Sequence, residues 1–125
     1  MKKVINTSGA PAPIGPYSQA IQAGDFLFVS GQVAIHPTTG ELVLDDIQAE
    51  TRRVMENIKA ILTEAGADFG NIVKTSIFLK DMQNFSLVNE VYGGYFTDAF
   101  PARETVQVAG LPKNVNVEIT VTAIL

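Results

Sequence analysis

The sequence predicts an α+β fold in which a six-stranded, mainly antiparallel sheet carries two helices on one face. Residues 47–65 place apolar side chains at helical spacing, whereas residues 115–123 alternate between apolar and polar side chains, which is typical of a half-buried strand. Along the chain the elements follow the order βββ-α-β-α-ββ. The length of 125 residues fits one domain, residues 1–125.

Three strands are expected before the first helix, at residues 2–6, 17–23 and 26–32. The second and third are joined by a tight turn at Gly24-Asp25. Residues 10–16 contain three prolines, which remove backbone donors and fix φ, so this stretch should form a stiff loop that delivers Tyr17 to a defined place. Gly31, close to the end of the third strand, indicates a bulge or a close approach of the backbone to another group.

The first helix is the clearest element. Asp45 or Asp46 can cap its N-terminus, and Gly66 follows its end. Its apolar stripe comprises Ile47, Thr51, Val54, Ile58, Ile61, Leu62 and Ala65. Residues largely off this stripe should face solvent, namely Glu50, Arg53, Glu56 and Lys59. We interpret this helix as scaffold.

A strand and a second helix follow. The strand covers residues 72–79, and its expected core face holds Val73, Thr75, Ile77 and Leu79. The helix, over roughly 84–96, has Phe85, Val88, Tyr92 and Phe96 in register. Because each glycine inside a helix costs about 1 kcal/mol relative to alanine, Gly93-Gly94 indicates either an early helix end or close backbone packing.

The last two strands, 102–109 and 115–124, are joined by residues 110–114. One face of the sheet packs on the helices, and the opposite face needs another cover. Burial against identical faces of other copies of the chain would provide it and would place Glu118 near an interface.

Composition argues against several classes of function. There is no cysteine, so disulfide and thiolate chemistry are excluded. The net charge is −4 and the basic residues are scattered, so nucleic-acid binding is not expected. His36, the only histidine, lies in a Pro- and Gly-containing turn, so no metal site is expected there. The charged start lacks a following apolar run, and no stretch reaches about 18 apolar residues, so we expect a cytoplasmic protein.

Glu118 and Arg103 are the leading candidates for chemistry. A carboxylate between Val117 and Ile119 is either a solvent-facing strand residue or, if another copy covers that face, a buried base able to deprotonate water. Arg103, on the strand expected beside it, either binds a carboxylate with its planar fork or makes a structural ion pair with Glu104 or Glu118.

Tyr17 and Asn89 are candidates for polar contacts to a small ligand. Taken singly, each also fits an ordinary role, Tyr17 as a half-buried ring and Asn89 as an exposed helix residue.

The sequence resembles the reactive intermediate deaminase family, RidA or YjgF, over essentially the whole chain. The matching blocks occur in the family's order and spacing: Ile14–Ala20, Val29–Gln32, Asn89–Tyr92, Pro101–Ala109, Leu111–Lys113 and Val117–Ile119. The resemblance implies a chorismate-mutase-like trimer, in which the sheets form a central barrel and clefts lie between subunits. It also implies hydrolysis of 2-iminobutanoate and 2-iminopropanoate, products of PLP-dependent dehydratases, to 2-oxo acids and ammonia without metal or cofactor.

By this resemblance, Arg103 would bind the substrate carboxylate and Glu118 would activate the attacking water. Tyr17, Asn89, Gly31 and the backbone of Thr105 would line the pocket. Thr105 stands where many members have cysteine, and Glu104 is expected to tune or compete for the neighbouring guanidinium.

Two other functions stay open from the sequence. The first is a non-catalytic module that binds or senses a 2-oxo acid in the same cleft. The second is an RNA-cleaving translation inhibitor, an activity attributed to some relatives, against which the acidic charge argues.

Overall fold

The computed structural model describes all 125 residues, and its elements follow the predicted order. The strands are β1 (Lys2–Ile5), β2 (Ala20–Ala23), β3 (Phe26–Gln32), β4 (Ile72–Leu79), β5 (Ala102–Gln107) and β6 (Val117–Ile124). The helices are α1 (Ile47–Glu64) and α2 (Phe85–Gly93), and short 3₁₀ turns precede β4, α2 and β6. The predicted α+β class, with a mainly antiparallel sheet, is confirmed.

The strands form one sheet in the order β1-β2-β3-β6-β4-β5. All neighbours are antiparallel except β4 and β5, which are parallel because α2 crosses over between them. Strand β4 therefore lies between β5 and β6. The expectation that Arg103 and Glu118 lie on neighbouring strands is wrong, because the crossover places β5 at the sheet edge while β6 fills the centre.

The core lies between the sheet and the helices. Fully buried side chains from both layers meet there, among them Leu27, Ile58, Ile77 and Ile119. At the start of α1, the Asp46 side chain accepts a hydrogen bond from the Ala49 backbone N–H at 2.8 Å, which identifies Asp46 as the cap.

Glu50 does not face solvent as expected. Its side chain is fully buried (0% exposed), because its carboxylate accepts hydrogen bonds from the start of β6. Arg53 and Glu56 are half-buried and Lys59 is exposed.

The core face of β4 also differs from the prediction at one residue. Val73 is 42% exposed, and Ile72 takes the core position instead. A bulge is the cause: Ile72 pairs with Ala123 and Lys74 pairs with Thr122, which leaves the intervening residue turned outward.

Several other boundaries differ from the predicted ones: β1 ends at Ile5, β5 ends at Gln107 and β6 begins at Val117. Helix α2 ends at Gly93 and is capped at Gly94, and nothing lies within 4 Å of a side chain added at Gly93, so the glycine pair marks an early helix end. Strand β2 begins at Ala20, later than predicted, and the Gln19 side chain just before it bonds to Thr7, Ala10 and Pro11 of the preceding loop.

The second face of the sheet, called here the open face, is the one that the helices do not cover. Phe26 and Phe28 are 47% and 48% exposed on it, with ring centroids 5.9 Å apart. Neither helix of the chain has the length and apolar character needed to cross a membrane.

Candidate active site

Glu118 lies on β6 with its side chain on the open face, because Val117 and Ile119 on either side of it are fully buried in the core. Across the sheet it pairs with Phe78 of β4. Its carboxylate group packs against the backbone of Gly31. A Cβ added at Gly31 would lie 2.9 Å from Cδ of Glu118 and 3.2 Å from its Cγ, so only glycine leaves room for this side chain.

Glu118 faces a pocket of about 410 Å³ that also contains Tyr17 and Gly31. The remaining lining residues are Ile14, Ser30, Val33, Ile35, Pro112 and Lys113. Burial raises the pKa of Glu118 above its ordinary value. A carboxylate that is partly desolvated in this way is a stronger base than one in water, which suits it to accept a proton from water. These residues form the Glu118 half-site.

Arg103 lies on β5, where it pairs with Thr75 of β4 and so faces the helices. Its Nη1 donates a hydrogen bond to Oδ1 of Asn89 at 2.7 Å. The guanidinium carbon lies 5.2 Å from the ring centroid of Tyr92 and 5.7 Å from that of Phe85. Two aromatic faces and one amide therefore hold the guanidinium in a fixed orientation.

The Arg103 guanidinium faces a second pocket, of about 370 Å³, which forms the Arg103 half-site. Its other lining residues are Asn89, Tyr92, Gly93, Phe100 and Pro101. No carboxylate pairs with Arg103, since the one ion pair in the chain joins Lys74 to Glu104 at 2.7 Å. A guanidinium has five N–H donors, so most of those on Arg103 are free to bind an anion.

The expected competition between Glu104 and the guanidinium is wrong. Adjacent residues of a strand point to opposite faces, so Glu104 lies on the open face, where it bonds to Lys74 and Ser76. Those partners hold the pKa of Glu104 below its usual value. The alternative role of Arg103 in an ion pair with Glu104 or Glu118 is also not observed.

Thr105 follows Arg103 by two residues and shares its face of β5. Its Oγ1 is buried without a hydrogen-bond partner. A hydroxyl in that state retains its full capacity to bond to a further group. The role predicted for its backbone stays a prediction.

The structure divides the predicted site residues into two groups. Arg103 lies with Asn89, whereas Tyr17 and Gly31 lie with Glu118. Strand register places the groups on opposite faces of the sheet: Arg103 shares a row with Thr75 and Val121 on the helix side, and Glu118 shares one with Phe78 and Val106 on the open side. Within one chain, Arg103 and Glu118 cannot contact the same small ligand.

Several site residues were not identified from the sequence. Tyr92 and Phe85, interpreted as helix-core residues, stack on Arg103. The spacing of Asn89 and Tyr92, three residues apart and so on one side of α2, was the available signal. Lys113 lines the Glu118 half-site with φ of 55°, in the left-handed region; its place in the matching block Leu111–Lys113 was the available signal.

No group of three His, Cys, Asp or Glu side chains lies close enough together to hold a metal ion. His36 is a turn residue, as predicted. Its Nδ1 accepts hydrogen bonds from the backbone N–H groups of Thr38 at 3.2 Å and Thr39 at 3.3 Å.

Comparison with known proteins finds relatives that match nearly the whole chain. The sequence model of the family described as Endoribonuclease L-PSP matches residues 7–125. A RutC family protein of Pyrococcus horikoshii is 54% identical over 123 residues, covering 98% of each chain. The 2-iminobutanoate/2-iminopropanoate deaminase of Mus musculus is 46% identical over 124 residues, which cover 99% of this chain and 92% of the relative.

Solved structures give the same result for the fold. Crystal structures of two E. coli proteins each cover 98% of this chain and 98% of their own. TdcF with bound serine has a TM-score of 0.94 and 42% identity. The YjgF gene product has a TM-score of 0.93 and 45% identity.

Proposed function

Because the chain belongs to the RidA (YjgF) family, we propose that it hydrolyses small 2-imino acids, 2-iminobutanoate and 2-iminopropanoate, to 2-oxo acids and ammonia. The mouse relative named for this activity is 46% identical. The E. coli relative with bound serine supports a ligand of the same size class that carries a carboxylate and a nitrogen on the neighbouring carbon.

The main support for the proposal comes from the surroundings of the Arg103 guanidinium. Its guanidinium is held by two rings and an amide, has no carboxylate partner and faces a pocket. An oriented guanidinium binds a carboxylate through two parallel hydrogen bonds. It would thereby fix the imine carbon of the substrate relative to the attacking water.

Glu118 supplies the base in this proposal. Water attacks the imine carbon and transfers a proton to Glu118, which gives it to the nitrogen. The hydroxyl of the resulting amino alcohol then gives its proton, through Glu118, to the amino nitrogen, and the C–N bond breaks, so that ammonia leaves and a carbonyl forms. The raised pKa of Glu118 favours the first of these proton transfers, because the conjugate base of a weaker acid accepts a proton from water more readily.

Two copies of the chain are required for this chemistry. Arg103 and Glu118 lie on opposite faces of one sheet, so a complete site needs Arg103 of one copy and Glu118 of another. We propose a homotrimer with such sites between subunits, as the family resemblance implies. The open face supports this, because its exposed Phe26 and Phe28 are the kind of surface that association buries.

The test is ammonia release from imines generated in situ by a threonine dehydratase or an amino-acid oxidase. The chain should accelerate release, and Glu118→Ala should lower kcat about 10²–10⁴-fold, the range for loss of a general base. Arg103→Ala should chiefly raise KM. Matched controls are Glu90→Ala and Arg52→Ala, which remove the same groups from exposed helix positions. No acceleration by the wild-type chain would refute the proposal.

The same variants separate catalysis from simple binding. If the chain only bound 2-oxo acids, Glu118→Ala would bind 2-oxobutanoate normally and there would be no turnover to lose. RNA cleavage is disfavoured by the net charge of −4. A steep salt dependence of RNA binding, which signals phosphate neutralisation, would favour it instead.

A further inference from the structure

Glu50, in the first turn of α1, is a buried carboxylate with no role in the proposed chemistry. It is 0% exposed. Its Oε2 accepts hydrogen bonds from the backbone N–H groups of Asn116 at 2.8 Å and Val117 at 3.1 Å. Its Oε1 accepts a third from Nδ2 of Asn116 at 2.8 Å. All three bonds go to the two residues that immediately precede Glu118.

The backbone at Glu118 pairs with a neighbouring strand on only one edge of β6. Pairing between β3 and β6 ends at Gln32 and Ile119, so the backbone of Glu118 does not pair with β3. Only β4 pairs with β6 at this point, through Phe78 and Leu79. The hydrogen bonds to Glu50 therefore attach the start of β6 to the helix layer, at a point where only one strand, β4, pairs with β6.

The loop that leads into β6 is also conformationally strained. Lys113 and Asn114 have φ of 55° and 57°, a region that residues other than glycine seldom adopt. Such backbone persists only where the surroundings hold it in place. The three bonds from Glu50 begin two residues after Asn114 and are suited to this task.

A second polar residue of α1 holds the facing wall of the same pocket. Asn57 is fully buried, and its Nδ2 donates to the carbonyl oxygens of Val33 at 3.2 Å and Ile35 at 3.1 Å. Val33 and Ile35 line the Glu118 half-site. Buried polar side chains of helix α1 thus bond both to one wall of that pocket and to the two residues that precede Glu118.

We propose that Glu50 is a positioning residue, which holds the start of β6 so that the Glu118 carboxylate stays against Gly31. Its catalytic consequence rests on the proposed function, whereas the placement of Glu118 is a claim about structure alone. A shift of about 1 Å in a catalytic group can lower a rate about 10²-fold. We expect this loss in kcat for Glu50→Ala, with little change in the affinity for 2-oxobutanoate, because Arg103 lies on a strand that Glu50 does not touch.

Three further variants separate positioning from simple stability. In Glu50→Gln the amide oxygen can still accept from both backbone N–H groups. If the Asn116 amide turns over, its oxygen can accept the third hydrogen bond from the new NH₂ group. The kcat of this variant should therefore stay within about 3-fold of wild type. Glu50→Asp keeps the charge, but its side chain is one methylene too short to make all three bonds, so its kcat should fall about 10-fold. Met55→Ala removes a fully buried side chain of the same helix and should lower Tm while keeping kcat.

The measurements are kcat, the Kd for 2-oxobutanoate, Tm, and crystal structures of the Glu50 variants. The proposal is supported if Glu50→Ala shows a displaced Glu118 together with a reduced kcat. If Glu50→Ala does not fold, the same two results in Glu50→Asp support it. Wild-type kcat with Glu118 still against Gly31 overturns it. If the wild-type chain releases no ammonia, the proposed function fails, and the crystal structures alone decide the placement of Glu118.

Discussion

Gly31→Ala is expected to inactivate the site while leaving the fold intact. The added methyl carbon would lie 2.9 Å from Cδ and 3.2 Å from Cγ of Glu118, and closer still to Oε2. Side-chain carbons do not approach other atoms this closely, so the glutamate must rotate away. Gly31 has an ordinary φ, so alanine adds no backbone strain there.

The magnitude follows from the role of the displaced group. Loss of a positioned general base costs about 10²–10⁴-fold in kcat, and a displaced carboxylate retains part of its effect. We therefore expect a fall of about 10²-fold in kcat for ammonia release, with Tm within a few degrees of wild type. Binding of 2-oxobutanoate to Arg103 should change far less.

Gly110→Ala is the matched control, because nothing lies within 4 Å of a side chain added there and its φ is also ordinary. It should keep wild-type kcat. If Gly31→Ala also keeps wild-type kcat, the packing of Glu118 against Gly31 does not matter for catalysis, and the reasoning is refuted.

Three other outcomes are expected. Burial raises the folded-state pKa of Glu118 above its ordinary value, so ionisation of this carboxyl lowers the free energy of unfolding as pH rises through the folded-state pKa. Glu118→Gln should therefore raise Tm at pH 7, and equal Tm differences at pH 7 and below pH 4 would contradict this. Tyr92→Phe removes the 2.9 Å hydrogen bond to Thr75, so the free energy of unfolding in a urea titration should fall by about 1 kcal/mol. The Kd for 2-oxobutanoate should stay unchanged, because the ring over Arg103 remains. Phe28→Glu places a charge on the open face and should convert the proposed homotrimer to monomers in sedimentation, with activity lost in parallel; a monomeric wild type would contradict this.

The elements of the fold could be predicted because their patterns are local. The stripe of α1 and the alternation of β6 each lie within one segment, and both gave the correct element. Strand order is not local. The crossover through α2 makes β5 parallel to β4, and no spacing in the sequence states which strand fills the centre of the sheet.

The site residues could be nominated from the sequence, but their arrangement could not. Arg103 and Glu118 were identified by residue type, yet their separation onto two faces depends on the strand register across β4. The burial of Glu50 could not be predicted for a different reason. Glu50 lies four residues before Val54, at the edge of the apolar stripe, and the helical pattern there is equally compatible with a polar side chain in solvent and with one that has buried partners. Val73 was misplaced because a bulge interrupts the alternation.

Mixing two impaired variants tests most directly whether the site is shared between copies. At a substrate concentration well below the raised KM of Arg103→Ala, the Arg103→Ala and Glu118→Ala chains are each expected to release little ammonia alone. When equal amounts are co-refolded, about a quarter of the sites should receive an intact Arg103 from one chain and an intact Glu118 from another, so about a quarter of wild-type ammonia release should return. If the mixture is no more active than the two variants measured separately, the two groups do not act together across an interface, and the account fails.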